Sequence, residues 1–129
     1  MDLRAALLQA TRRLEEAGVA APRLTAEVLL AHTLGRDRSW LYAHSDEQLG
    51  EREGLRYADA LEERLRGKPT QYITGRQEFW GREFVVTPEV LIPRPETEHV
   101  VEIALEVARG ARRILDVGCG SGILAVTLR

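Results

Sequence analysis

The run Ile114-Leu115-Asp116-Val117-Gly118-Cys119-Gly120-Ser121-Gly122-Ile123-Leu124-Ala125-Val126 constrains this chain more than any other stretch. An apolar strand pattern passes through three alternating glycines into an apolar helical pattern. Glycine takes positive φ without strain and, lacking Cβ, lets a ligand approach the main chain, so such a turn reads as a nucleotide-type cofactor loop. The spacing separates two kinds of loop. A dinucleotide fingerprint, G-x-G-x-x-G, needs glycine where Ile123 stands. The form present is D-x-G-x-G-x-G, with Asp116 the last polar residue of the expected strand.

Composition narrows the class further. The chain has 129 residues, 44% hydrophobic and 29% charged, with a formal net charge of −2. That is the make-up of a folded, water-soluble domain, or of one small domain with part of another, and it gives no broad positive field for nucleic acid. A single cysteine, Cys119, excludes an internal disulfide and a cysteine-based zinc site, and no stretch approaches the ~20 apolar residues of a membrane span. The expected location is the cytoplasm, with no metal, no membrane and no direct nucleic-acid contact.

Residues 1–67 read as a helical bundle. Leu3, Leu7, Ala10, Leu14 and Ala17 share one face of a helix that Gly18 ends. A second helix is expected from Pro22 to Gly35, with Leu24, Val28 and Ala31 on one side and Leu30 and Leu34 beside them. Ser45-Asp46-Glu47-Gln48 matches a capping box, followed by an inward stripe of Leu55, Ala58, Leu61 and Leu65 that stops near Gly67. Residues 68–89 read as a linker and hairpin, with strands at Gln77-Glu78-Phe79 and Glu83-Phe84-Val85-Val86 around Trp80-Gly81-Arg82. Phe79, Trp80 and Phe84 are expected in the hairpin core. Residues 90–129 then begin a further domain: Pro93-Arg94-Pro95 is held extended, a helix opens at Pro95-Glu96 and carries Val100, Ala104, Val107, Leu105 and Ala108 as far as Gly110, and the strand and glycine loop follow.

Gln71-Tyr72-Ile73, Glu78-Phe79-Trp80-Gly81, Phe84, the phrase Leu91-Ile92-Pro93-Arg94-Pro95-Glu96-Thr97-Glu98 and the glycine loop together resemble the HemK-type family. Pro22-Arg23-Leu24 and Ala26-Glu27-Val28-Leu29-Leu30 also resemble that family's substrate-recognition domain. Its members are methyltransferases that use S-adenosylmethionine (SAM) and act on the glutamine amide of the Gly-Gly-Gln motif in peptide chain release factors. The resemblance implies an α/β fold: a helical bundle, a short β-hairpin, then the start of a class I, Rossmann-like SAM-dependent methyltransferase domain. It implies cofactor contacts from Asp116, Gly118, Cys119, Gly120, Ser121 and Gly122, and a cofactor or substrate mouth at Arg94 and Thr97.

Alternatives stand beside these roles. Asp116 reads as a counter-charge to the cofactor's cationic end, as a brace accepting hydrogen bonds from the loop amides, or as both. A helix cap and a surface ion pair also explain Arg94 and Thr97. Cys119 has no base near it in sequence and is expected to be a small packed residue, and His32, His44 and His99 lack partners at ligand spacing. The family's ribose-binding carboxylate and its Asn-Pro-Pro-Tyr substrate clamp have no counterpart before Arg129, so the chain is expected to be the N-terminal portion of a longer enzyme, inactive alone. The rival readings are methylation of another protein glutamine or of a nucleic-acid base, and a non-catalytic helical module that binds a release factor.

Overall fold

The computed structural model describes all 129 residues, which form two compact units, Met1–Thr74 and Gly75–Arg129. The first unit contains α1 (Leu3–Glu16), α2 (Pro22–Leu34), α3 (Arg38–Ala43), α4 (Glu51–Leu65) and the short α5 (Thr70–Thr74). The division falls after α5, past the break expected at Lys68-Pro69. Lys68–Thr74, expected to be linker, therefore belongs with the helices, where Ile73 packs on their core.

Asp2 starts α1, its Oδ1 accepting a hydrogen bond from the Ala5 amide at 2.7 Å, and Gly18 ends it at φ +73°. Leu3, Leu7, Ala10 and Leu14 are buried as their spacing requires, joined by Ala6, while Ala17 is an exposed C-cap. In α2 the ends match expectation, with Pro22 in the first turn and Gly35 at φ +63° closing it, but the buried face matches only in part. Leu30 and Ala31 are buried as expected, whereas Leu24 is exposed and Val28 only half-buried, and Ala26, Leu29 and Thr33 point inward as well. The reason is that α2 contacts α1, α3, α4 and α5. A helix covered on several sides has no single apolar stripe to read.

Two further expectations fail between α2 and α4. Ser45–Gln48 does not cap a helix: α4 begins at Glu51 behind Gly50. The backbone of this segment instead completes the start of α1, its Glu47 and Ser45 carbonyls accepting the Leu3 and Arg4 amides at 2.9 and 3.0 Å. Those amides are among the donors a helix N-terminus leaves without partners. In α4 the inward residues are Tyr57 and Leu61, with Leu55 and Ala58 exposed. Tyr57 rotates the stripe because its ring buries more area than an aliphatic residue and its hydroxyl donates to the Ala26 carbonyl at 3.0 Å.

A buried carboxylate ties α2 to α3. The Glu27 side chain is 2% exposed. It accepts hydrogen bonds from Arg23 Nε at 2.6 Å, from Arg38 Nη2 at 2.8 Å and from the Tyr42 hydroxyl at 2.8 Å. The last two donors lie on α3, a helix that the hydrophobic pattern does not announce and that Asp37 caps through the Trp40 amide. Burial pushes the Glu27 carboxyl up, but the bonds from Arg38, Arg23 and Tyr42 and the Arg23 charge outweigh it and hold it below the ordinary value.

The second unit is built on less. β1 (Arg76–Phe79) and β2 (Arg82–Val85) pair antiparallel as expected, Phe79 facing Arg82 across the two-residue turn Trp80-Gly81. Both turn residues have positive φ, +52° and +69°, which defines a type I′ turn. A 3-10 turn (Pro95–Thr97) leads into α6 (Glu98–Val107), and α7 (Ile123–Thr127) follows the glycine loop. The core is Phe79, Val101 and Ile123, with Phe84, Leu124 and Leu128 against it. Trp80 is not part of it, contrary to expectation.

The α6 stripe also differs. Val101 is buried with half-buried Ala104 and Ala108 on its side, whereas Val100, Leu105 and Val107, expected inward, are exposed together with Ile103. Most consequential, Ile114–Val117 is not a strand, and no Rossmann-like sheet is present. The only sheet is the two-stranded hairpin, so no neighbour pairs these residues' backbone, and Leu115 and Val117 are 87% and 85% exposed.

Truncating the hub carboxylate should weaken the bundle. Glu27→Ala leaves two half-exposed arginines and a tyrosine hydroxyl without their acceptor and should cost about 2–3 kcal/mol in thermal or urea unfolding. The sign of the acid dependence follows from the lowered folded-state pKa. Stability from Glu27 is complete above the ordinary carboxyl value of 4.5 and is lost as pH falls through the lower folded value. Glu27→Gln should flatten that acid limb, read as the urea midpoint between pH 6 and 3.

Candidate functional site

The site grows from three backbone reversals. Gly118, Gly120 and Gly122 have φ of +72°, +53° and +79°, so every second residue of the loop is left-handed, a conformation that costs a residue with Cβ roughly 1–2 kcal/mol. A Cβ built at any of the three meets nothing within 4 Å. The glycines are thus required by conformation within this unit, and the space beside their α-carbons is open to a ligand. The Gly122 amide donates to the Cys119 carbonyl at 2.8 Å, closing the last turn, and the Gly122 carbonyl accepts the Val126 amide to open α7.

Asp116 precedes the loop, half-buried, and its Oδ2 is buried with no hydrogen-bond partner. No loop amide donates to its side chain, so the brace expected from sequence does not form. A carboxylate oxygen withdrawn from water without a donor is costly, and a cation or donor brought beside it would offset that cost. Cys119 is exposed and Ser121 half-buried.

Arg94 and Thr97 lie on the other approach to this unit. Arg94 is extended, at φ −90° and ψ 139°, and its carbonyl accepts the Thr97 amide at 3.0 Å across the 3-10 turn. Arg94 is exposed and Thr97 half-buried, and neither bonds to the glycine loop. What brings the two stretches together is the core: Val101, one turn beyond Thr97, packs with Ile123, the residue after Gly122.

The hairpin holds this arrangement through contacts that sequence reasoning missed. The Trp80 amide donates to Glu98 Oε1 at 2.9 Å, and Arg82 Nη1 donates to the Val126 carbonyl at 3.2 Å. One side of the tip is thus pinned to the first residue of α6, the other to α7. The signal available for this was the dipeptide Trp-Gly between two short strands, which marks a type I′ turn with a bulky residue where asparagine is preferred. The histidines act locally: His44 stacks on Trp40 with ring centres 4.1 Å apart, and His99 lies 3.5 Å from Glu102. No helix is long and apolar enough to cross a membrane.

Comparison with known proteins places the chain. Residues 5–75 match the family model described as PrmC N-terminal domain. Three proteins named release factor glutamine methyltransferase are similar over nearly the whole chain. That of Koribacter versatilis is 49% identical over 99% of this chain and 46% of its own length. That of Nitratidesulfovibrio vulgaris is 46% identical over 98% and 43%. That of Deinococcus radiodurans is 40% identical over 100% and 47%. The chain spans less than half the length of these relatives. With more than half of its residues inside the family model and this similarity running across the glycine loop, the chain belongs to the PrmC N-terminal domain family.

Proposed function

We propose that this chain is the N-terminal portion of a SAM-dependent methyltransferase that modifies the glutamine side-chain nitrogen of the Gly-Gly-Gln motif in peptide chain release factors. The observation that carries the reading is the loop itself: three left-handed glycines with open space beside them, following a carboxylate oxygen that is buried and unpartnered. The relatives are named for this reaction. Residues 1–74 form the part that recognises the release factor, the hairpin stretch 75–89 leads to the cofactor part, and 90–129 open the SAM-binding domain.

The residues present suit a sulfonium nucleoside. SAM supplies an electrophilic methyl group on a positively charged sulfur. Gly118, Gly120 and Gly122, with the main chain of Cys119 and Ser121 between them, would give its methionyl part close access to the backbone, and the Asp116 carboxylate would offset its positive charge. Arg94 and Thr97 line the mouth.

An amide nitrogen is a poor nucleophile because its lone pair is delocalised, so the remaining need is orientation, which contributes several kcal/mol in favourable cases. The chain contains no asparagine at all. The side chain that fixes the substrate amide in the resembled family is therefore not among these residues, and the chemistry requires the length that the relatives have beyond it.

Two measurements test the reading. In a protein of the relatives' full length carrying these residues, Gly120→Ala should weaken SAM binding by about tenfold or more in calorimetry, since 1.4 kcal/mol is a factor of ten. Asp116→Asn should weaken it as well, while leaving the ligand-free melting point unchanged or higher, because it removes a buried charge that has no partner. Unchanged affinity in both variants would overturn the loop assignment.

Incubation with radiolabelled SAM and a release factor should give label transfer by the full-length protein and none by the 129-residue chain. Capture of the release factor with no transfer by either would instead favour a helical binding module.

A further inference from the structure

The two tryptophans of this chain are placed very differently. Trp40 is engaged on its ring: His44 stacks on it and the Arg36 guanidinium lies 5.1 Å from its centre. Trp80 is 36% exposed, belongs to no core cluster and carries no aromatic or cationic partner. Yet Trp80 occupies a left-handed position, φ +52°, that a bulky side chain disfavours and that asparagine or glycine would fill without strain. The backbone is held there by the Trp80 amide on Glu98 and by Arg82 on Val126. A large ring maintained in an unfavourable backbone state, outside the core cluster and 36% exposed, is what a contact residue for an external group requires.

We infer that the Trp80 indole is a binding surface for the protein substrate, a specificity residue that packs against the glycine-containing peptide presented for methylation. The inference rests on the proposed function above. Substrate rather than cofactor is favoured by what Trp80 is tied to. Its bond goes to Glu98, next to Thr97 in the mouth segment, and none goes to residues 116–122. A flat indole suits a glycine-containing segment, whose peptide planes and α-carbons carry no side chain to hold them off, and tryptophan is enriched among residues that dominate protein interfaces. Glu98 is then a positioning residue that fixes the tip through the Trp80 amide.

The test uses Trp80→Gly, Trp80→Asn and Trp80→Phe in a protein of the relatives' full length carrying these residues. Glycine and asparagine relax the turn, so their melting points should be equal to or above that of the unaltered protein. Their KM for a release factor should rise about tenfold or more with kcat changed by less than about threefold, and SAM affinity should stay within about twofold. Trp80→Phe, which keeps an aromatic face, should recover most of the KM. A lowered melting point in Trp80→Gly would overturn the inference by making the ring part of the fold. An unchanged KM would overturn it directly, and a parallel loss of SAM affinity would reassign the ring to the cofactor. If the unaltered protein transfers no label, the functional reading fails and the inference falls with it. Transfer with an unchanged KM in Trp80→Gly removes the inference alone.

Discussion

Phe79, Val101 and Ile123 hold residues 75–129 in one body. Each comes from a different segment: the end of β1, the first turn and a half of α6, and the first residue of α7. Because Phe79 sits at the hairpin turn and Ile123 at the glycine loop, their contact through Val101 sets where the loop stands relative to the Pro-Arg-Pro segment. The edge-on packing of Phe84 against Phe79, with ring centres 6.4 Å apart, keeps the first of the three in place. The bonds from the hairpin tip to Glu98 and Val126 join the hairpin to the same two helices.

The two units solve the problem of burial by different means. In the first, α2 is wrapped by four helices, and a charge placed inside is made tolerable by three donors on Glu27. The second has few buried side chains and a long list of exposed aliphatic ones on α6 and in 114–117. A backbone stretch with the composition of a buried parallel strand, such as Ile114-Leu115-Asp116-Val117, has apolar residues suited to cover on both faces. Here Leu115 and Val117 are exposed and the stretch has no pairing partner, so it forms no strand.

Helix ends were easy to see in the amino-acid order because Gly18, Gly35 and Gly67 are chemically forced signals, each left-handed in the structure. The hairpin was legible for a related reason, since Trp80-Gly81 separates two short β-prone runs. Which side of a helix faces inward was much less legible. Counting aliphatic residues misplaced the stripe on α4, where Tyr57 decides, and on α2, where cover comes from several directions. Glu27 and α3 were invisible because the buried ion network depends on Arg38 and Tyr42, 11 and 15 residues further on, whose convergence with the i,i+4 pair Arg23–Glu27 no period encodes. At the candidate site the glycines were read by their conformation, whereas the orphaned oxygen of Asp116 and the bond from Trp80 to Glu98 arise only in three dimensions.

The seam between the start of α1 and residues 45–49 bears on how the bundle comes into being. Leu3 and Arg4 donate to Glu47 and Ser45, Leu49 donates to the Met1 carbonyl, and Asp2 bridges Gln48. The first turn of the first helix is therefore completed by residues that lie beyond two further helices, α2 and α3. During synthesis, α1 and α2 can emerge and touch while that turn still has open donors. Closure waits until residue 49 has cleared the ribosome, so the bundle locks at its beginning only after most of it has been made.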